Sequence, residues 1–204
     1  MRKLFVRFIK ITLICSILTA IILIIEPFNF MNIKQAERIA QWKKEYQNIE
    51  YKMGLVKIHE GEIPSECDSE CVKNRIKPYF NIDETNVYKP QDYKYKKLNG
   101  QKIPPDTRFH FTNLMLDKSG KLISIKENDS ELEDKKDTPF LMFIDMNGYN
   151  PPNRIGGDIF ILNVHKDSVS PFGEKRKLQK LKQNCSPIGA GTYCAKYYLY
   201  SGQM

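Results

Sequence analysis

The stretch FLMFIDMNGYNPPNRIGGDIFIL, residues 140–162, is the part of the sequence that most directly indicates the fold. Two runs of apolar, aromatic and β-branched residues flank a centre that is rich in Asn, Gly, Pro and Asp. Such runs are typical of central β-strands, whereas Asn-Gly and Pro-Pro pairs are typical of turns. The stretch therefore predicts two strands joined by a polar loop.

The neighbouring segments extend this pattern to a sheet. RFHFTNLMLDKSGKLISIKEN alternates apolar and polar residues about the turn DKSG, and predicts a hairpin with strands near 108–116 and 121–126. GEKRKLQKLKQ is consistent with a short helix or an exposed loop, and YCAKYYLYSG with a final strand or a short helix. We expect residues 106–204 to form an antiparallel β-sheet domain within an α+β fold.

The segment before this domain predicts a helix and a loop-rich region. Residues 55–105 are polar and rich in Tyr, Pro and Lys, and predict a loop-rich, variable region with a short helix near residues 68–76. Residues 31–54 predict an amphipathic helix that ends at Gly54. Its apolar face comprises Ile33, Ala36, Ile39, Ala40, Tyr46, Ile49 and Met53.

The N-terminal residues predict a membrane anchor. MRKLFVRFIK has four cations and no acid, and residues 11–25 carry no charge. A spanning helix needs about 20 predominantly apolar residues, which Leu4–Ile25 supplies if Arg7 and Lys10 within it snorkel to the membrane surface. A cleaved signal peptide is the alternative, but LIIEPFNF has no small-x-small cleavage pattern. We expect residues 1–30 to be an uncleaved anchor with a cytoplasmic N-terminus and an exported C-terminal domain.

The five cysteines indicate disulfides. Cys15 lies in the apolar segment, and the other four allow three pairings. An exported domain would be in an oxidising compartment, so we favour a Cys185–Cys194 pair around SPIGAGTY. Cys67 and Cys71 pair locally or with other partners. Zinc is less favoured because neither spacing matches a zinc motif and no His lies nearby.

Asp145, Asn147 and Asp158 are candidate calcium ligands because they place oxygen atoms around one loop. The EF-hand register is not met, since Gly148 holds the fourth position and Asp158 the fourteenth. The alternative is structural, with Asp145 and Asp158 capping loop amides.

No catalytic site is predicted. The three histidines, His59, His110 and His165, lie far apart in sequence and belong to no nucleophile motif. We therefore expect no enzymatic activity and no cofactor apart from calcium.

The charge distribution gives little reason to expect nucleic-acid binding. The net charge is +8, and removing the four cations of residues 1–10 leaves +4 because those residues hold no acid. A DNA-binding stripe would use a run that is more often simply solvated, comprising Lys175, Arg176, Lys177, Lys180 and Lys182.

The order of these segments resembles that of type IV pilin-like proteins and type II secretion pseudopilins. Residues 6–27 are similar to the pilin membrane segment, and Pro27 stands where that segment ends in its helix-kinking Pro. The C-terminal part resembles a D-x-N-G-x-x-x-P-N-x-x-G-x-D-x-F pattern followed by P-x-G and a cysteine pair. The matching residues are Asp145, Asn147, Gly148, Pro152, Asn153, Gly156, Asp158, Phe160, Pro171, Gly173, Cys185 and Cys194.

The resemblance implies a long N-terminal helix carrying a β-sheet head. It implies a single-pass structural or accessory subunit of a type IV pilus or type II secretion-type assembly in the bacterial cytoplasmic membrane. The head would be periplasmic or extracellular, and the N-terminal helix would contact lipid and other pilin-like subunits. Phe5 and Lys10 stand where prepilins have Gly and Glu, so we expect an anchored, non-polymerising relative or a minor subunit.

Two other functional classes stay open. One is an exported, membrane-tethered domain that binds calcium, a glycan or a protein and has no relation to pili. The other is an exported hydrolase whose site is assembled only by folding, from two close carboxylates or from His110 or His165 beside an acid.

Overall fold

A computed structural model of the chain describes residues 14, 16, 35–83, 93–104, 109–128 and 139–200. The chain divides into two compact units, Met1–Gln41 and Trp42–Met204. In the first unit, residues 14, 16 and 35–41 are helical. The predicted anchor over residues 1–30, with Phe5, Lys10 and Pro27, lies outside the described residues except at Ile14 and Ser16. Within the described ranges, no helix is long and apolar enough to cross a membrane.

The second unit has an α+β fold, as predicted. It contains four α-helices, one 3-10 helix and five strands among the residues that the structure describes. The helices are α1 (helical residues 42–60), α2 (Ser69–Ile76), a 3-10 helix (Lys77–Tyr79), α3 (Leu178–Asn184) and α4 (Cys194–Tyr200). The strands are β1 (Leu114–Leu116), β2 (Leu122–Glu127), β3 (Phe140–Asp145), β4 (Ile159–Val164) and β5 (Val169–Pro171).

The five strands form one antiparallel meander in chain order. β3 lies at its centre, where Phe143 pairs with Ser124 of β2 and with Ile161 of β4. All six residues of β3 are buried, which requires that both faces of the sheet are covered. The prediction that β3 and β4 are central strands is therefore confirmed.

Helix α1 covers one face of the sheet, here called the helix face. Trp42, Ile49, Met53 and Val56 recur at helical spacing and are buried. The indole ring of Trp42 stacks on Phe160 of β4 with 4.1 Å between ring centroids. Its Nε1 donates a hydrogen bond of 2.9 Å to the carbonyl oxygen of Ala195 in α4. One side chain thus joins α1, the sheet and α4.

The predicted end of this helix was wrong. The helix does not stop at Gly54 but continues to residue 60, and Val56, which lies beyond the glycine, is still buried. A glycine inside a helix costs only about 1 kcal/mol, which this burial offsets. The helix ends where Gly61 adopts a φ of 76° and its N–H donates to the carbonyl oxygen of Lys57. Part of the region predicted as loop is therefore helix.

The opposite face of the sheet is covered by the segments 93–104 and 109–113, and is here called the tyrosine face. Tyr93 and Phe111 pack there in one apolar cluster with Leu141, Phe143 and Ile161. The rings of Phe111 and Phe143 lie 5.0 Å apart. Because β3 alternates its side chains between the two faces, Asp145 points to the same face as Leu141 and Phe143.

The predicted first hairpin is correct in its turn but wrong in its first strand. β1 begins at Leu114, whereas the sequence predicts extended backbone over residues 108–116. Asn113 has a φ of 49°, which interrupts an extended strand. Before it, the backbone N–H of Thr112 bonds the Ser124 hydroxyl at 3.0 Å instead of a backbone carbonyl. The three-residue strand β5 was not predicted.

The four cysteines of the second unit form two disulfides. Cys185 and Cys194 have Cα atoms 5.1 Å apart, and their bond joins the end of α3 to the start of α4. Cys67 and Cys71 have Cα atoms 5.4 Å apart at the start of α2. That helix confirms the prediction for residues 68–76, and its N-cap Asp68 accepts from the backbone N–H of Cys71 at 2.8 Å.

Candidate functional site

The loop between β3 and β4, residues 145–158, is the candidate site and is here called the connecting loop. Asp145 is the last residue of β3, and Asp158 immediately precedes β4. The loop is closed at its base because the N–H of Met146 donates to the carbonyl oxygen of Asp158 at 3.0 Å. The two strands therefore bring both aspartates to one end of the sheet.

Asp145 is fully buried and accepts two hydrogen bonds. Its Oδ1 accepts from the N–H of Asn147 at 3.0 Å, and its Oδ2 accepts from the hydroxyl of Tyr93. Burial raises the pKa of Asp145 to about 7, although the bonds from Tyr93 and Asn147 lower it. Burial and the charge of Asp145 raise the pKa of Tyr93, so this hydroxyl is a neutral donor.

Asp158 caps the other end of the connecting loop. Its Oδ2 accepts from the N–H of Asn153 at 2.9 Å, and its Oδ1 accepts from the N–H of Arg154 at 2.6 Å. Burial raises the pKa of this carboxyl, and the two amide bonds oppose that shift. Each of the four carboxylate oxygens in the loop therefore has a donor. The structural reading of Asp145 and Asp158 as caps of loop amides is confirmed.

Two asparagines in the loop leave their side-chain oxygens without a donor. Asn147 donates through Nδ2 to the carbonyl oxygen of Asn150 at 2.8 Å, and Asn153 donates to that of Lys94 at 3.4 Å. The Oδ1 atoms of Asn147 and Asn153 are nonetheless buried with no hydrogen-bond partner. Such atoms are costly in a protein interior unless a water molecule or an ion bonds them.

These positions bear on the predicted calcium ligands. Asp145, Asn147 and Asp158 lie in one short loop, and amide and carboxylate oxygens are the ligands that Ca²⁺ prefers. Among the described residues, no three His, Cys, Asp or Glu side chains form a group that could hold a metal ion. The connecting loop offers a cation the carboxylates of its two aspartates and the side-chain amide oxygens of Asn147 and Asn153. Calcium binding at these residues stays a prediction.

The connecting loop is held against the disulfide of α3 and α4. Gly156 has a φ of 80°, and a Cβ atom on it would lie 2.6 Å from both the Sγ atom of Cys194 and the carbonyl oxygen of Gly191. The hydroxyl of Tyr198 in α4 donates to the carbonyl oxygen of Gly156 at 3.2 Å. Only glycine allows this close backbone approach, so the C-terminal segment fixes the position of the loop.

The three histidines lie on separate segments with different partners. His59 is exposed, with its ring 5.7 Å from that of Tyr79. Nε2 of His110 contacts the carbonyl oxygen of Pro104 at 2.6 Å, and Nε2 of His165 contacts the hydroxyl of Ser170 at 2.9 Å. The two carboxylates of the connecting loop are occupied as caps of backbone amides. The prediction that the chain is not an enzyme stays a prediction.

Sequence reasoning missed Tyr93 as a partner of the connecting loop. It lies 52 residues before Asp145, and its only signal was the cluster of tyrosines at 88, 93 and 95, of which Tyr88 lies outside the described residues. The exposed cations Lys177, Lys180 and Lys182 lie at or within α3.

No protein-family model, no curated protein and no solved structure matches the chain in the three comparisons with known proteins.

Proposed function

We propose that the chain is a membrane-tethered, pilin-like structural or accessory subunit of a type IV pilus or type II secretion-type assembly. Its uncharged N-terminal segment, residues 11–25, packs in the bilayer with helices of partner subunits. The head formed by the second unit presents its loops on the exported side. The function is assembly, and no covalent chemistry is involved.

The observation that supports this function most is the packing of α1 on an antiparallel meander. A helix with Trp42, Ile49 and Met53 buried on a sheet is the head architecture that the resemblance implies. The C-terminal disulfide, Cys185–Cys194, also agrees with the pattern. The apolar residues that precede α1 in the sequence supply the segment that the tether requires.

Lys10 limits the kind of subunit that the chain is. Where prepilins carry a Glu that pairs with the terminal amine of a neighbouring subunit, Lys10 would place two cations together. Like charges repel at short range in a bilayer, where screening is weak. The chain therefore fits the role of a minor or accessory subunit better than that of a polymerising one.

Deleting residues 1–30 tests the tether. We expect the full chain in the membrane fraction and the truncated chain in the soluble fraction, because the deletion removes the apolar segment and retains Trp42. Circular dichroism before and after truncation provides the control for folding. A folded, truncated chain that stays in the membrane fraction would contradict the anchor.

A second experiment tests assembly. A photo-crosslinking residue at Leu13 or Ile17, inside the apolar segment, should capture a partner protein within the membrane. The matched control outside the segment is the same photo-crosslinking residue at Ile188, which is 86% exposed. Ile188 lies in the loop between Cys185 and Cys194, here called the disulfide loop. If Leu13 and Ile17 crosslink only to lipid, the chain is a tethered domain without an assembly partner.

A second candidate function is calcium binding by the connecting loop. The observation that favours it is the pair of buried Oδ1 atoms on Asn147 and Asn153 that lack a donor beside two buried carboxylates. Calcium at 100 times its dissociation constant would stabilise the fold by about 2.7 kcal/mol. We expect calcium to raise the unfolding temperature of the native chain, and to have no such effect on Asp158→Asn.

Asp117→Asn is the matched control for the calcium experiment. Asp117 is a buried aspartate that caps another turn, where its Oδ1 accepts from the N–H groups of Ser119 and Lys121 at 2.9 and 2.8 Å. This variant should lose stability but keep the calcium response. A native chain with no response, or an equal response in Asp158→Asn, would exclude the loop as the calcium site.

A further inference from the structure

The segment 93–104, which lies on the tyrosine face, carries four lysines and no acid. Its first four residues alternate between aromatic and basic side chains. Tyr93 is buried and Tyr95 is half-buried, whereas Lys94 and Lys96 are exposed. Within the described part of the chain, no carboxylate forms an ion pair with any of these four lysines. The segment thus presents four cations directly beside aromatic rings.

Backbone hydrogen bonds attach this segment to two other parts of the head. Lys96 accepts from the N–H of Ile155 at 2.9 Å, which places Arg154 of the connecting loop beside it. The N–H of Leu98 donates to Ala190 of the disulfide loop at 3.1 Å. Residues 175–200 also contain no acid. Folding therefore brings together two segments that contain no acid, 93–104 and 175–200, and the exposed Arg154, and their cations attract an anionic ligand.

A cavity of about 390 Å³ opens within this positive surface, and is here called the lysine pocket. Tyr95, Ile103 and Phe111 supply its apolar wall. Three of the four lysines, Lys94, Lys96 and Lys102, also line it and are exposed. The volume lies at the lower end of the range for ligand pockets, so it suits a ligand of one or two rings.

We propose that the lysine pocket binds one sugar ring of an acidic polysaccharide, whose carboxylates pair with Lys94, Lys96 and Lys102. The CH-rich face of the sugar packs on the wall formed by Tyr95 and Ile103. Lysine suits this role because its ammonium group donates in any direction to carboxylates that project at varied angles from a flexible chain. The site does not depend on the membrane tether.

The arrangement of the rings favours a sugar over a nucleic acid. The rings of Tyr93 and Tyr95 stack with their centroids 5.3 Å apart, and the rings of Tyr95 and Phe111 meet edge-to-face with their centroids 4.5 Å apart. Sequence-independent binding of single strands uses successive exposed ring faces along a groove. Here the rings use much of their surface on one another and form a single wall. One ring of a ligand, with its anionic groups directed to the lysines, fits that wall.

Binding of trigalacturonic acid to the full chain, solubilised in a neutral detergent, tests the proposal. Titration calorimetry should show saturable binding that weakens as salt increases, because the lysines are exposed and their charges are screened. The uncharged trisaccharide galactotriose should bind at least tenfold more weakly. In nuclear magnetic resonance spectra, the acidic trisaccharide should shift the signals of Ile103 and Phe111.

Two triple variants with the same change in charge separate the pocket from general electrostatics. Lys94→Gln, Lys96→Gln and Lys102→Gln together should weaken binding about tenfold or more, since each exposed charge contact contributes a modest share. The matched control is Lys177→Gln, Lys180→Gln and Lys182→Gln, at exposed positions at or in α3 that do not line the pocket. It should change the affinity less than threefold.

Three results would overturn the proposal. Equal weakening by both triple variants would show that the affinity comes from net charge alone. Equal affinity for galactotriose would show that the lysines do not recognise a carboxylate. A single-stranded oligothymidylate that competes for Lys94, Lys96 and Lys102 and binds more tightly would assign the pocket to nucleic acid instead.

Discussion

The two faces of the central sheet are buried by different chemistry. The helix face is closed by apolar packing, with the ring of Trp42 stacked 4.1 Å from that of Phe160. The tyrosine face contains a buried carboxylate, Asp145, bonded to the hydroxyl of Tyr93. The contribution of the helix face to the free energy of unfolding should depend little on pH. The contribution of the tyrosine face should depend on the protonation of Asp145. Apolar packing thus holds both faces together, and the tyrosine face in addition carries a buried polar pair and the candidate sites.

The largest effect should come from Trp42→Ala on the helix face. The indole ring is fully buried and joins α1 to the sheet and α4, so its removal should cost about 3–5 kcal/mol of the free energy of unfolding. Urea unfolding followed by circular dichroism measures this. Tyr51→Ala is the control, because Tyr51 also lies on α1 but is 66% exposed. It should change the free energy of unfolding by less than about 0.5 kcal/mol. Equal losses would refute the docking of α1.

A smaller loss should come from Tyr93→Phe on the tyrosine face. The ring stays, but the buried Oδ2 of Asp145 loses its donor, which should cost about 1–3 kcal/mol. The loss should be greatest above pH 7, where the carboxylate is charged. Tyr51→Phe, at an exposed ring, should be neutral. If Tyr93→Phe has no effect at pH 8, the buried pair does not contribute to stability.

The most gradual effect is a dependence of stability on pH. Burial raises the pKa of Asp145 from the ordinary 3.8 to about 7, so the folded chain retains a proton that the unfolded chain releases between these values. Stability should therefore fall as the pH rises from about 4 to about 7, by up to about 1.4 kcal/mol per pH unit. Asp158, whose pKa is also raised, acts in the same direction.

Thermal unfolding in a chelating buffer at several pH values measures this slope. Asp145→Asn should reduce it to the part that Asp158 contributes, because the amide does not titrate and still accepts from Tyr93. Stability that rises over this pH window, or an unchanged slope in Asp145→Asn, would disprove the assignment to Asp145.

Much of the fold could be predicted because local patterns indicated it. The strands at residues 140–145 and 159–164 are continuous apolar runs, which only a sheet covered on both faces accommodates. The helix at Ser69–Ile76 has its cap, Asp68, directly before it. The Cys185–Cys194 pair encloses a short loop, so proximity along the chain favoured it.

Other features were not accessible to local patterns. Gly54 is a natural helix end, yet the helix continues past it and Val56 is buried. Trp42 was not included in the predicted apolar face, although it makes the closest ring contact of α1 in the described part of the chain. Both outcomes depend on burial in the folded head, which local patterns in the sequence do not show.

The sequence by itself determined the α+β class, the central strands and the polar loop between them, and it offered amide capping by Asp145 and Asp158 as one of two interpretations. These follow from side-chain periodicity and short-range hydrogen bonds, which act within a few residues. Only the tertiary structure decided that Tyr93 bonds Asp145 and that lysines surround an aromatic pocket. Such contacts join residues that are distant in sequence, and they exist only because burial of both sheet faces brings those residues together.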